Sequence, residues 1–224
     1  MPTRTLLFCG ALSSLLYVGI DLLGASSWEG YSYSSQTISE MTAIDAPTRN
    51  LLTPLYVAYT FLLIAFGAGV RASAGPIRTR RVAGTLLAAV GFVGFIQPFF
   101  PMHMRGAEPS FTDTGHIVLG GVNVLLLLLA IGFGASEFGS RFRLYSAATI
   151  ATMLLFGAWT AFLAPAIPEN LPTPFIGIVE RTLFAAFLLW IAVLSLALLR
   201  SDGLRALPRG RIHHFAKLGQ APPA

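Results

Sequence analysis

Charge is what this chain has least of. Asp, Glu, Lys and Arg together make up 11% of its 224 residues, against about 25% in a soluble globular chain. That leaves too little polar side chain to coat a water-soluble body. Lysine is nearly absent, with Lys217 alone beside the arginines. Cysteine is reduced to Cys9, which excludes an internal disulfide framework. Cys9 lies in an apolar run without a lipid-attachment context and reads as a small core hydrophobe. No Gly-x-Ser-x-Gly elbow, phosphate-binding loop or dinucleotide fingerprint occurs. The usual signatures of serine hydrolases, nucleotide hydrolases and nicotinamide enzymes are therefore missing.

What is there is apolar. Hydrophobic residues reach 54% and the mean hydropathy is +0.69. They are gathered into runs of about 20 residues, the length a helix needs to cross a ~30 Å hydrocarbon core. Ten-residue alternations, the mark of a membrane barrel, are not seen. The expected fold is all-α, a polytopic bundle of six transmembrane helices at Thr5–Gly24, Leu51–Val70, Val82–Phe100, Gly115–Gly134, Leu144–Ala164 and Gly177–Leu199. The first run exceeds the 7–15 residues of a signal-peptide core, so it reads as an uncleaved span. Residues 1–199 form the membrane domain and 200–224 a basic cytoplasmic tail.

Orientation follows from the arginines, which collect in cytoplasmic loops. With both ends inside, 12 of the 15 Lys and Arg fall on the cytoplasmic side, and only Arg49, Arg105 and Arg181 fall outside. The expected topology is N-in and C-in, in a bacterial inner membrane. On that topology a cysteine at Ser34 is reachable by an impermeant thiol reagent and one at Ala74 is not. The net charge of +5 is explained by this distribution, and nucleic acid is not a partner. The acids run the other way, with eight of ten outside.

The organising stretch is the outer interval Tyr31–Asn50. Thr37 and Glu40 have the spacing of a capping box, predicting a short helix near 38–44. Asp45-Ala46-Pro47 reads as the start of the second span, with Pro54 expected to bend it. Thr112 or Asp113 should cap the fourth span, and Thr173, before Pro174, the sixth. Glycines at 84, 91, 94, 120, 121, 132, 134 and 157 are positions where helix backbones can approach closely in lipid.

A polar cluster is expected at the outer boundary, made of Asp21, Glu40, Arg49, His103, Asp113, His116, Glu180 and Arg181. Asp21 lies roughly 24 Å along the first helix from Thr5, and Glu180 about 10 Å past Thr173, at ~1.5 Å per residue. Charges at such depth must face the bundle and find partners. For Arg181 the available acids are Asp21, Glu40 and Asp113. Glu40 is the expected partner, with Glu180 bonding toward Arg49 or His116. Three readings compete: a salt-bridge network pinning the outer loop, a site for a lipid headgroup or small amphiphile, and an intramembrane lipid hydrolase. The hydrolase would use His103 and His116 with Asp113 or Asp21 as metal ligands. Those histidines are 13 residues apart, unlike the tight ligand pairs of zinc sites, so no metal or cofactor is assigned. A transporter needs polar groups near the midplane, where only Asn123 and the threonines of 152–160 qualify. Whether the protein is an enzyme stays open.

The run YSxxxxxISE followed by APTRN, the FP closing the third span, the D-x-x-H opening the fourth and the E-R in the sixth resemble one family. It is the family catalogued as domain of unknown function 998, prokaryotic six-helix membrane proteins. The resemblance covers nearly all of Thr5–Leu199 and implies the fold without an activity. Here Met102-His103 follows the FP where the family pattern leads one to expect an acid. More remotely, the ISE-bearing outer loop and a histidine in the fourth span are similar to eukaryotic six-helix proteins of autophagy and GPI-lipid remodelling.

Overall fold

The computed structural model describes residues 2–205; of the tail expected at 200–224, residues 200–205 continue the last helix and the rest lies outside the described residues. Six long helices account for most of the described chain: α1 (Pro2–Ser27), α2 (Arg49–Ala72), α3 (Arg78–Ile96), α4 (Phe111–Gly134), α5 (Gly139–Leu163) and α6 (Ile176–Arg205). Each is long and apolar enough to cross a membrane, and no strand occurs among the described residues. The chain is a multi-pass helical membrane protein. All six expected spans lie within these helices or run a few residues past their ends.

Each helix packs on its sequence neighbours, and α6 returns to α1, closing the ring; only α4 and α5 adjoin sparsely. The closest approach is between α2 and α3. A Cβ added at Gly84 would lie 2.7 Å from the Gly67 carbonyl oxygen and also meet the backbone of Arg71. Where lipid offers no hydrophobic drive between helices, such contact holds them together. Gly134 similarly admits the Trp190 ring, whose Nε1 donates to Ser146 Oγ at 2.9 Å. The expectation of close packing fails at Gly120, Gly121 and Gly132, where a Cβ would meet nothing within 4 Å. These three lie on the part of α4 that its neighbours leave uncovered.

The α1–α6 contact is made by serines. Ser14 Oγ donates to the Leu188 carbonyl at 2.8 Å. Ser195 Oγ donates to Leu7 O at 2.7 Å and accepts from Ala11 N at 3.2 Å. Leu7 and Ala11 are the two ends of one helical bond, so a side chain of α6 is inserted into the ladder of α1. Beneath these, Leu7, Ile20, Leu63, Phe66, Trp190 and Ile191 form a core with almost no exposure. Leu15, Phe92, Ile117, Leu144 and Leu155 point outward, as side chains that meet acyl chains should.

One end of the bundle carries the long connections 28–48, 97–110 and 164–175; call it the cap end. The other carries the short turns 73–77 and 135–138. There Arg80 and Glu137 form a buried pair at 2.6 Å, 5% and 3% exposed, and Arg80 Nη1 also donates to Ser73 O. One arginine thus ties the two turns together. Ala74 is buried, so a labelling probe on this end belongs at exposed Ser136 instead.

Candidate functional site

The cap is residues 28–48, folded down onto the ends of α1, α2 and α6. Thr37 and Glu40 make the expected reciprocal box: Thr37 N donates to Glu40 Oε2 at 2.7 Å and Glu40 N to Thr37 Oγ1 at 3.3 Å. The element they open is a single 3-10 turn, Ser39–Thr42, shorter than the helix expected at 38–44. Asp45 does not begin α2. It stands at φ 67°, in the left-handed region tolerated by Asp, and the helix starts at Arg49. Thr48 Oγ1 points back to donate to Met41 O at 2.7 Å, stapling cap to helix. From there α2 is continuous through Pro54.

The cap is docked by two arginines. Arg181, on the second turn of α6, grips Asp21 of α1. Its Nη2 lies 2.9 Å from Oδ1, and its Nε is 3.1 Å from both carboxylate oxygens. Nη1 donates to the carbonyls of Tyr33, Gln36 and Gly177, and Nη2 to Tyr31 Oη at 2.8 Å. The guanidinium also lies over the Tyr33 ring, 3.7 Å from its centroid, a cation–π contact. Tyr33 Oη completes the circuit by donating to Asp21 Oδ2 at 2.6 Å. Burial pushes both the Tyr31 and Tyr33 phenols above their ordinary range, so both work here as neutral hydroxyls.

The expected Glu40–Arg181 pair is therefore not formed. Glu40 is taken by Arg105 of the 101–110 loop: Nε to Oε1 at 2.5 Å and Nη2 to Oε2 at 3.1 Å. Arg105 goes on to Ser35 O at 2.9 Å and Thr173 Oγ1 at 2.7 Å. One side chain thus joins the cap to both other loops at this end. Thr173 does not cap α6 as expected. Its hydroxyl donates to Ser35 O at 2.9 Å, and the helix begins three residues later. Glu180 turns neither to Arg49 nor to His116; its Oε2 accepts from the Ile38 backbone at 2.5 Å.

The histidines form a separate patch. His103 Nδ1 donates to Asp113 Oδ2 and His103 N to Asp113 Oδ1, both at 2.7 Å. The helix cap of α4 is Ser110, with Asp113 as the reciprocal partner, in place of the expected Thr112 or Asp113. His116 Nδ1 donates to Phe100 O at 3.0 Å. Asp21 is engaged with Arg181 and Tyr33. Of the four residues of the metal reading only His103 and Asp113 meet, His116 and Asp21 being engaged elsewhere, and among the described residues no three His, Cys, Asp or Glu are placed to share an ion. Arg49 stays apart, with Nη1 donating to Thr42 O at 3.1 Å.

Of the eight expected cluster residues, the structure brings Asp21, Glu40, Arg49, Glu180 and Arg181 to the cap, pairs His103 with Asp113 beside it and leaves His116 on the Phe100 carbonyl. The key omission is Arg105, together with Tyr31, Tyr33, Ser35 and Thr173. Arg105 carried a signal, being one of three basic residues at an otherwise acidic end.

A bundle of six membrane-crossing helices under a charge-docked cap defines the class, a polytopic helical membrane protein. Within that class the chain belongs to the family described as protein of unknown function (DUF998), whose model matches residues 11–197. The match spans α1 to α6 and includes every charged residue of the cap. No curated protein and no solved structure matches.

Proposed function

We propose that this is a non-catalytic protein of a bacterial inner membrane, with the cap outside, that holds a lipid or related amphiphile by its headgroup at the cap end. Residues 1–199 act as one membrane domain, with a basic cytoplasmic tail from 200. The observation that carries this reading is that the deepest charges are already satisfied within the protein. Asp21 is held by Arg181 and Tyr33, Glu40 by Arg105 and Thr37, and Glu180 by Ile38 N–H. Groups so fully engaged are suited to holding a surface in place. They are poorly suited to releasing a partner during turnover. The lock builds a rigid outer face, and the ligand meets that face.

A hydrolase has one feature in its favour, the His103 ring oriented through Nδ1 by a fixed carboxylate. The nearby hydroxyl of Ser110 is bonded to Asp113 and Thr112 and not to the ring. For a transporter, the hydroxyls of Thr152 and Thr160 are bonded within their own helix, and Asn123 is the midplane candidate that keeps a buried oxygen, Oδ1, without a partner among the described residues. The test is native mass spectrometry of the protein extracted in mild detergent. A co-purifying phospholipid is the expected result; a stoichiometric zinc ion with no lipid would overturn the reading in favour of the hydrolase.

A further inference from the structure

If the lock uses most of the charges at the cap end, the ones it leaves over mark where a ligand would bind. Of the three arginines at this end, Arg105 and Arg181 hold carboxylates. Arg49 pairs with no acid among the described residues. One Nη1 hydrogen goes to Thr42 O, and the rest of the guanidinium is uncommitted. Four residues earlier, Asp45 is exposed and makes neither an ion pair nor a side-chain hydrogen bond there, and neither does the amide of Asn50. The three line one open depression of about 540 Å³, with Ile44, Pro47 and Pro101 as its apolar wall. The wall is fixed, since Ile44 N donates to Met102 O at 2.8 Å and ties the cap to the neighbouring loop. Below it the exposed side chain of Leu51 begins the apolar surface of α2.

We propose that this depression seats the headgroup of a zwitterionic phospholipid. The phosphate lies on Arg49 and the Asn50 amide, the ammonium on Asp45, and the acyl chains run down α2 from Leu51. A guanidinium suits phosphate because it offers paired donors in one plane. An unpaired carboxylate in the same depression disfavours a purely anionic headgroup, so the site selects phosphoethanolamine over phosphoglycerol lipids. The pocket volume suits a headgroup, and its position at the first turn of a membrane helix suits a lipid that remains in its leaflet. This assignment rests on the lipid-binding reading above and names its ligand.

The test uses the full-length protein, stripped of lipid in detergent and then offered dioleoyl-phosphatidylethanolamine, dioleoyl-phosphatidylglycerol or inorganic phosphate, with native mass spectrometry as readout. Wild type should retain one phosphatidylethanolamine in preference to phosphatidylglycerol. Arg49→Gln should lower that retention about tenfold, the scale of one charge-assisted hydrogen-bonded contact. Asp45→Asn should remove the preference while leaving phosphatidylglycerol binding intact. Should Arg49→Gln fail to fold, Asn50→Ala alters an exposed side chain that bonds nothing among the described residues, and it should weaken retention in the same direction. Equal retention by wild type and by whichever of these two variants folds would overturn the site and leave lipid binding standing. So would displacement of the lipid by millimolar phosphate, which marks a free-anion site. A wild-type protein that keeps neither lipid would overturn both readings.

Discussion

Replacing Arg181 with alanine should be among the most damaging single changes in the protein. The side chain is 10% exposed, as is that of Asp21. Its five N–H donors face both oxygens of Asp21, the Tyr31 hydroxyl and three main-chain carbonyls. Truncation leaves Asp21 with only the Tyr33 hydroxyl and strips donors from the Tyr33 and Gln36 carbonyls that dock the cap. Removing one partner of a buried pair costs about 3–5 kcal/mol, and loss of the Tyr33 stacking adds about 0.5–2 kcal/mol. Asp21→Asn should cost less, because the amide still accepts hydrogen bonds. The double mutant should fall short of the two costs summed, since the pair is broken once. Arg181→Lys should recover only part, as an ammonium cannot form the planar fork. The assay is reversible denaturation in detergent, followed beside limited proteolysis within 28–48 to separate cap release from global unfolding. Strict additivity of Asp21→Asn and Arg181→Ala, or a loss below about 1 kcal/mol for Arg181→Ala, would refute the claim that the pair is buried and coupled. Glu40→Gln provides the control: its coupling energy should appear with Arg105→Ala and be smaller with Arg181→Ala.

The turn end makes a parallel case. Arg80→Ala should cost about 3–5 kcal/mol, while Arg80→Met combined with Glu137→Leu should recover most of it, read by thermal melting in detergent. Gly84→Ala should push α2 and α3 apart, destabilising by about 1–3 kcal/mol. Gly120→Ala, where a Cβ meets nothing, should instead be neutral or stabilise by roughly 0.5–1 kcal/mol; equal melting temperatures for the two would refute the packing argument. For topology, Glu108→Cys should react with an impermeant thiol reagent on intact cells and Ser136→Cys should not, and the reverse labelling would invert the proposed orientation.

The spans were legible because a continuous apolar run has one physical use, and the helix ends moved only where neighbouring loops intervened. The Thr37–Glu40 box was legible because its partners are three residues apart. Caps were misread where a hydroxyl had a better distant partner. Thr173 could have capped α6 locally, but Ser35 O and Arg105 hold it. Asp45 has the composition of a helix cap, and its left-handed backbone instead makes a turn within residues 28–48. Depth told that Arg181 needs an acid, and left three to choose from. The choice depends on which helix lies beside α6. Both α1 and α5 do, and of the two only α1 carries an acid, Asp21, at the right height; no local pattern encodes the lateral order of helices. The Arg105–Glu40 pair is hidden in the sequence for the same reason, since it joins residues 65 positions apart.

The contact between α1 and α6 has a consequence for biosynthesis. The first four helices can be inserted in order, each beside the one just made, but α5 gains its main neighbour and the ring closes only when the sixth emerges. Until then Asp21 lacks its arginine, Tyr33 and Gln36 lack the donor that holds their carbonyls, and Leu7 and Ala11 await the Ser195 hydroxyl. A nascent chain halted before α6 therefore leaves Asp21 without its arginine, while Arg105 still holds the cap through Glu40. The helix translated last of the six thus supplies the hydrogen-bond partners that the one translated first is missing. A separately expressed α6 that rescues a chain lacking it would do so through those same bonds.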